Sequence, residues 1–495
     1  MRIQLAQKTK NALFIAGCAL VVIFSVFNTF NGLADIPIHD WDEARHGISA
    51  YEMYKSGDYI INTYLGETDY YNLKPPLSFW AISAGYAIFG VGTFGFRFFS
   101  AVCLPIIVLV FILFFRKHFG PVFALGGGLL FSLICVQMHH LFTRGDADAL
   151  FYLFTFLSII FFIESYLTSD KNLIGVGICT AFAFLAKAAH IAIFAFSMFV
   201  CMIILLKVLR FSLKHLLLYG LLPFLVLILP WFIWRYLTDG ALFFQQMLIF
   251  DVIERTVVGV DGNVRGPLYY IGSLYVIFGP VVLILFAALV CACLYVCFKY
   301  RDQFELRDKA FVFLNLLVVL VPLVFFTIIP TKVPWYIWPS TMGVVALAAW
   351  LPHFLWRIRA SFNERKYKVI NNGGYSAIIA VLFAIGLLLM PERYVSPNMA
   401  PVIFDDLPKA SEQHYFVTDT DGYQYMLSQS SILGGIFSGY IFQYGDIGAF
   451  RQAEDALLVL KYPDSIARAD FISANADLML EYDDGDGTAV YILQK

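Results

Sequence analysis

The sequence predicts an all-α polytopic membrane protein, with about eleven transmembrane helices and outer-face juxtamembrane helices, carrying a small C-terminal extracytoplasmic α/β domain. Three observations predict it. Of 495 residues, 60% are hydrophobic and only 14% charged, with a mean hydropathy of +0.74, whereas soluble domains carry about 25% charged residues. Apolar runs near the length that crosses a hydrocarbon core recur down to residue 390. Beyond Met390 the composition changes: residues 391–495 hold 16 Asp and Glu against six Lys and Arg, with no run of membrane length. The chain therefore divides into a transmembrane domain, 1–390, with a polar loop at 34–97, and a C-terminal domain, 391–495.

The apolar runs lie near 11–33, 98–115, 121–142, 149–167, 173–187, 190–206, 216–235, 270–298, 310–329, 336–352 and 375–390. The first follows Arg2, Lys8 and Lys10 and lacks a small-x-small cleavage site, so it reads as a retained anchor rather than a signal peptide. Residues 77–91 form a shorter run interrupted by Ser78, Ser83, Gly85 and Gly90, and read as a helix lying in the interface. With that run left out of the spans, 18 of the 34 Lys and Arg fall in short loops on one side, among them Arg116, Lys117, Lys299, Arg301 and the basic cluster at 357–368. Such an excess marks the cytoplasm. The N-terminus is then cytoplasmic in a multi-pass cell-membrane protein, and the 34–97 loop and the C-terminal domain lie outside. Within the C-terminal domain, 414–418 and 489–493 alternate like strands and 451–460 has a helical pattern.

Several function classes are excluded at this level. A net charge of -2 without a basic stripe excludes a nucleic-acid partner. All eight cysteines (Cys18, Cys103, Cys135, Cys179, Cys201, Cys291, Cys293, Cys297) sit inside apolar runs, so neither a disulfide framework nor a zinc knuckle is expected. His39, His46, His139 and His140 show no H-x-x-x-H or H-E-x-x-H spacing, and no metal or other cofactor is expected.

The charged residues that remain are concentrated. Residues 38–77 contain Asp40, Asp42, Glu43, Arg45, His46 and Lys74 in a chain that is otherwise mostly hydrocarbon. Charges near lipid are costly unless water, a ligand or a partner charge compensates them, so this loop reads as the floor of an active site. Asp42 and Glu43 follow Trp41 and a cap position at Asp40, and open a helical pattern through Ala44, Ile48, Tyr51 and Tyr54. A helix dipole favours acids in its first turn. An ionised Asp there suits proton abstraction from a hydroxyl, with a solvated helix start as the plain alternative. Lys74 precedes Pro75 and Pro76, which hold it at headgroup depth, where it can snorkel or pair with phosphate. Residues 143–148 place Arg144 beside Asp146 and Asp148 at a membrane boundary, and either acid can face inward. Glu254 and Arg255, Arg265, and Lys332 with Tyr336 complete the same face. Up to four cations, Lys74, Arg255, Arg265 and Lys332, exceed what the local acids need, and a phosphate-bearing ligand explains the surplus.

These residues also occur in a familiar order. Asp42-Glu43-x-Arg45, Lys74-Pro75-Pro76-Leu77, Phe96-Arg97-x-x-Ser100, Asp148 ahead of a Leu/Phe-rich helix, Phe184-Leu185-Ala186-Lys187, Glu254-Arg255, Arg265-x-Pro267-x-Tyr269-Tyr270 and Lys332-x-x-x-Tyr336 run across about 40–340. With them the chain resembles the bacterial ArnT-like and protein-mannosyltransferase-like glycosyltransferases of the type C fold. The resemblance implies transfer of a sugar from a polyprenyl-phosphate carrier to an envelope acceptor (lipid or polysaccharide, or protein) on the outer face. It implies Asp42 as the catalytic acid/base, with Glu43 beside it, Asp148 as the second acidic position and Asp146 as its runner-up. Lys74, Arg255, Arg265, Lys332 and Tyr336 would hold the donor phosphate, supported by Arg45, Arg97, Lys187 and Glu254. Two departures stand out. Where the aminoarabinose transferases carry a Glu before the lysine of the K-P-P motif and a His before the Glu-Arg pair, both implicated in a zinc site, this chain has Leu73 and Val252. The implied enzyme is an inverting, metal-independent transferase. The rival is a transporter or flippase of phosphorylated lipids, which calls for mid-span charges and a repeated broken-helix pattern. A phosphoethanolamine transferase would need a metal cluster and a nucleophile.

Overall fold

A computed structural model describes residues 2–40, 42–206, 212–259, 262–360, 414–417, 429–444, 447–453, 456–462, 465–483 and 488–493. The expected span at 375–390 and the domain boundary at 390 lie outside them, as do the side chains of His139 and His140. The other ten expected spans are helical.

Helix α1 (Arg2–Phe30) leads into α2 (Asp42–Ser56), α3 (Leu77–Phe89), α4 (Thr93–His118), α5 (Pro121–Gln137), α6 (His139–Thr143) and α7 (Asp148–Leu167). Next come α8 (Leu173–Lys187), α9 (Ile191–Ile204), α10 (Leu213–Asp239) and α11 (242–258). The bundle closes with α12 (Tyr269–Lys299), α13 (Leu306–Ile328) and α14 (Thr341–Ala360). Among the described residues, eight stretches are long and apolar enough to cross a membrane. One of them, Asp170–Ile204, is folded back on itself at residues 188–190, so that Ser158 of α7 meets both Thr180 of α8 (2.9 Å) and Met198 of α9 (3.8 Å). Ala188, at φ 46°, makes that reversal. Helix α3, at 13 residues, reaches only about 20 Å, too short to cross.

The core is built from α4, α5, α7, α9, α13 and α14 around Phe111, Phe115, Tyr152, Phe311 and Trp350. Small residues set the close crossings, as is usual where lipid leaves van der Waals packing to hold helices together. A Cβ at Gly85 of α3 would lie 2.0 Å from the carbonyl oxygen of Gly95 in α4, so neither helix can carry a side chain there.

At one end of this bundle the ionic groups close on one another. Glu164 takes Lys117 (2.8 Å) and His118 (2.7 Å). The buried Asp308 accepts from Trp350 (3.1 Å) and Arg357 (2.6 Å), and forms a reciprocal cap with Glu305 at the start of α13.

The described residues of the C-terminal region form a five-stranded mixed sheet in the order β4-β3-β5-β7-β6, from β3 (His414–Val417), β4 (Ile441–Tyr444), β5 (Ala456–Lys461), β6 (Leu478–Asp483) and β7 (Thr488–Leu493). A hairpin in the 34–97 loop supplies β1 (Thr63–Tyr64) and β2 (Glu67–Thr68). Helices α15 (Gln429–Phe437), α16 (Ile447–Gln452) and α17 (Ser465–Ala474) flank the sheet. The helical pattern expected over 451–460 is corrected here. The helix ends at Gln452, and 456–461 form the central strand, because Leu457, Leu458, Val459 and Leu460 are buried on both faces. A continuous apolar run fits a two-sided strand better than a one-sided helix.

Candidate active site

The opposite end of the bundle opens into a cavity of about 630 Å³, in the range that holds a drug-sized ligand. Six regions line it: Asp40, Asp42, Arg45 and Lys74 of the 34–97 loop; Arg144, Asp146 and Asp148; Lys187 and His190 at the α8–α9 reversal; Asp251 and Arg255 of α11; Asn263 after it; and Trp335 with Tyr336. Residues more than 290 positions apart thus share one wall, and only the bundle brings them together.

The two acids at the start of α2 have opposite fates. Asp42 opens onto the cavity, its side chain 64% exposed and 3.4 Å from the Lys74 ammonium. Lys74 first, with Lys187 behind it, holds its carboxyl far below the usual range, so it is a carboxylate at any working pH. Glu43 is buried. It takes both Nε (2.7 Å) and Nη2 (3.0 Å) of Arg97, and accepts from the backbone N–H groups of His39 (2.8 Å) and Gly145 (3.0 Å). Arg97 also donates to the carbonyls of Leu33 and Pro37 (3.2 and 3.0 Å). The pair joins α2, α4 and the 143–148 turn from behind, and Glu43 does not line the cavity. Asp40 does not cap α2 either: its Oδ1 accepts from the Ser430 N–H of α15 at 2.7 Å.

The loop is braced locally. Arg45 forks onto Asp69 with two 2.8 Å bonds, sandwiched between the Tyr64 and Tyr71 rings. Asp69 in turn accepts from the N–H groups of Tyr71 and Asn72. His46 is fully buried against Phe79, its Nδ1 2.6 Å from the Asp42 carbonyl, and burial with Lys74 nearby pushes its pKa down to about 3. It is neutral and donates that bond.

On the facing wall Asp148 pairs with Lys187, and Asp146 accepts from the Asp148 N–H at 2.9 Å, opening α7. Burial, then repulsion from Asp148, pushes the Asp146 pKa well up. Arg255 is held by Asp251 (3.1 Å) and donates to the Tyr336 hydroxyl (3.2 Å), while the Tyr336 ring lies 5.9 Å from the Lys187 ammonium. Burial raises the Asp251 pKa as well. Arg144 has no carboxylate within salt-bridge distance among the described residues, although it lines the cavity.

Of the five residues expected around a phosphate, Lys74, Arg255 and Tyr336 line this cavity, and Arg265 and Lys332 do not. Lys332 is 3% exposed, its ammonium turned onto the Ile329 carbonyl, and its backbone N–H donates to Asn263. Arg265 donates to the carbonyls of Gly262 (2.8 Å) and Val264 (3.3 Å). Both brace the short antiparallel bridge between Val264 and Thr331. Glu254 likewise stands off the lining, one position before Arg255 on α11. The lining adds Arg144, Asp251, His39 and His190, absent from the sequence-derived set; Arg144 alone carried a signal, through its two neighbouring acids. At the positions where a zinc site is implied by resemblance stand Leu73, an apolar part of the lining, and Val252, so the residues present do not fit that ion.

The chain has known relatives in sequence and in fold. Residues 73–234 match the family model described as dolichyl-phosphate-mannose-protein mannosyltransferase. The fold is that of ArnT from Cupriavidus metallidurans, solved bound to undecaprenyl phosphate, with a TM-score of 0.64, 17% identity, and 98% of each chain covered. A Pseudomonas savastanoi pv. phaseolicola undecaprenyl phosphate-alpha-4-amino-4-deoxy-L-arabinose arabinosyl transferase is 31% identical over 30% of this chain and 28% of its own length. A second such transferase, from Pseudomonas fluorescens, is 27% identical over 62% of this chain and 51% of its own length. In sequence and in fold the chain resembles the ArnT-like membrane glycosyltransferases. The matches to these two Pseudomonas relatives span about half of their length or less. A flippase of phosphorylated lipids is not favoured by any of them.

Proposed function

We propose that this ArnT-like transferase moves a sugar from a polyprenyl-phosphate carrier to a hydroxyl of an envelope glycolipid or glycopolymer, with inversion, at the outer face of the membrane. The observation that carries the reading is the exposed Asp42 carboxylate facing a wall of cations across a cavity of sugar-phosphate size. In the reaction the acceptor oxygen bonds to the anomeric carbon as the bond from that carbon to the phosphate oxygen breaks. The acceptor proton goes to Asp42, and the polyprenyl phosphate leaves with one further negative charge. Lys74, Arg144, Lys187 and Arg255, with the Tyr336 hydroxyl, are placed to stabilise that developing charge, a preorganised electrostatic contribution needing no rearrangement at the moment of transfer. Glu43 and Arg97 hold the base rather than act as one.

The reading is tested on purified protein in lipid at saturating donor. Asp42→Asn keeps the shape of α2 but accepts no proton, so turnover falls by about a hundredfold or more with donor affinity little changed. Near wild-type turnover for Asp42→Asn would remove the central claim. A collapse confined to Asp146→Asn or Asp148→Asn would move the base to the facing wall.

A further inference from the structure

We propose that the C-terminal region is a working part of the active site: helix α15 clamps α2 and so fixes the position of Asp42, with Asp40 as the positioning residue that couples them. The inference rests on the reading of Asp42 as the base.

Three independent contacts carry it. First, Asp40 Oδ1 accepts from the Ser430 N–H, in the first turn of α15, at 2.7 Å. Asp40 stands two residues before Asp42 in a rim of the same cavity, so a shift of α15 moves the start of α2. Second, Gly47 of α2 lies directly under α15. A Cβ there would come within 2.4 Å of Leu433 and 3.0 Å of the Phe96 ring. A glycine inside a helix costs about 1 kcal/mol relative to alanine, and this contact is what it permits. Third, Phe437 meets the rings of Tyr86 (6.0 Å) and Phe96 (5.9 Å), and Tyr86 in turn donates to the Gly47 carbonyl (3.2 Å).

The packing behind these contacts is continuous. One buried apolar cluster runs from Ala44 and Ile48 through Phe79 and Phe96 to Ile432, Leu433 and Ile436, and on to Leu457 and Val459 of β5. The catalytic helix and the C-terminal sheet therefore share a core. Helix α2 is fixed on one side by the Glu43–Arg97 pair and on another by α15, and its cavity-facing first residue is left free to react.

The test compares full-length Asp40→Ala, Asp40→Asn and Leu433→Ala by transfer rate, by binding of polyprenyl phosphate, and by amide hydrogen exchange across 42–56. Asp40→Ala and Leu433→Ala lower kcat by about tenfold, the order expected from losing one cap or packing contact. They leave polyprenyl-phosphate affinity unchanged and speed exchange across 42–56. Asp40→Asn, whose side-chain oxygen still accepts from Ser430, keeps kcat and exchange at the wild-type level. Unchanged exchange in both Asp40→Ala and Leu433→Ala overturns the clamp. Faster exchange with unchanged kcat also overturns it, by reducing α15 to an anchor, and so does an Asp40→Asn variant as impaired as Asp40→Ala. Exchange needs no substrate. Coupled exchange with wild-type turnover in Asp42→Asn would thus sink the assignment of the base while leaving the contact between α15 and α2 in place.

Discussion

The two ends of the helix bundle hold similar residues and use them differently. At the closed end Glu164, Glu305 and Asp308 each engage a cation, and Asp308 is wholly buried with Arg357 and Trp350. At the cavity end Asp42 is open to solvent and touches Lys74 only at 3.4 Å, while Arg144 lines the cavity with no carboxylate within salt-bridge distance among the described residues. The first arrangement is complete as it stands. The second has charge to spare, and a ligand that brings an anion would complete it. The same contrast recurs between neighbours in the chain, since Glu43 is closed onto Arg97 and Asp42 is not. Composition does not distinguish a structural ion pair from a binding one; closure does.

The largest effect that sharpens this comparison belongs to the closed end. Asp308→Ala leaves Arg357 without its buried carboxylate and should lower unfolding stability by about 3–5 kcal/mol, read as earlier thermal denaturation in detergent. Turnover of the folded fraction should be unchanged. A loss of specific activity without destabilisation would erase the distinction between the ends. Arg144→Ala should do the reverse. With no carboxylate to strand, its stability should stay near wild type, while polyprenyl-phosphate binding weakens by the roughly 1.5–3 kcal/mol of a charge-assisted contact, measured by equilibrium titration.

A third effect is read from pH. His46 is held neutral at about 3 by burial, whereas an unfolded histidine titrates near 6.5. Between these values the unfolded chain binds the extra proton, so stability falls as pH drops from about 6.5 towards 3. In His46→Asn, which keeps a donor for the Asp42 carbonyl, that part of the stability profile should flatten; a profile identical to wild type would place the acid sensitivity elsewhere. The smallest perturbation asks which end faces outward. In a cysteine-free background, Glu67→Cys at the cavity end should react with a membrane-impermeant thiol reagent in intact cells and Gln303→Cys at the closed end should not. The opposite pattern would invert the topology.

The sequence by itself determined the membrane class, ten of the helical spans described, and the order of motifs through Asp42, Lys74, Asp148, Lys187, Arg255 and Tyr336, because apolar length and local charge are properties of contiguous residues. It also made the start of α2 legible, since two acids ahead of an apolar periodicity mark a helix start. What it could not determine is which way each charge points. Asp42 and Glu43 are adjacent, yet successive helical residues are turned by about 100° from one another, so one meets the cavity and the other meets Arg97, 54 residues away in sequence. Lys332 looked as available as Lys74 until the turn before α14 folded its ammonium onto the Ile329 carbonyl. Asp40 looked like the cap of its own helix, and the fold instead brought α15, some 390 residues later, to take its carboxylate. Partners that distant are selected by packing, and only the tertiary structure decides packing.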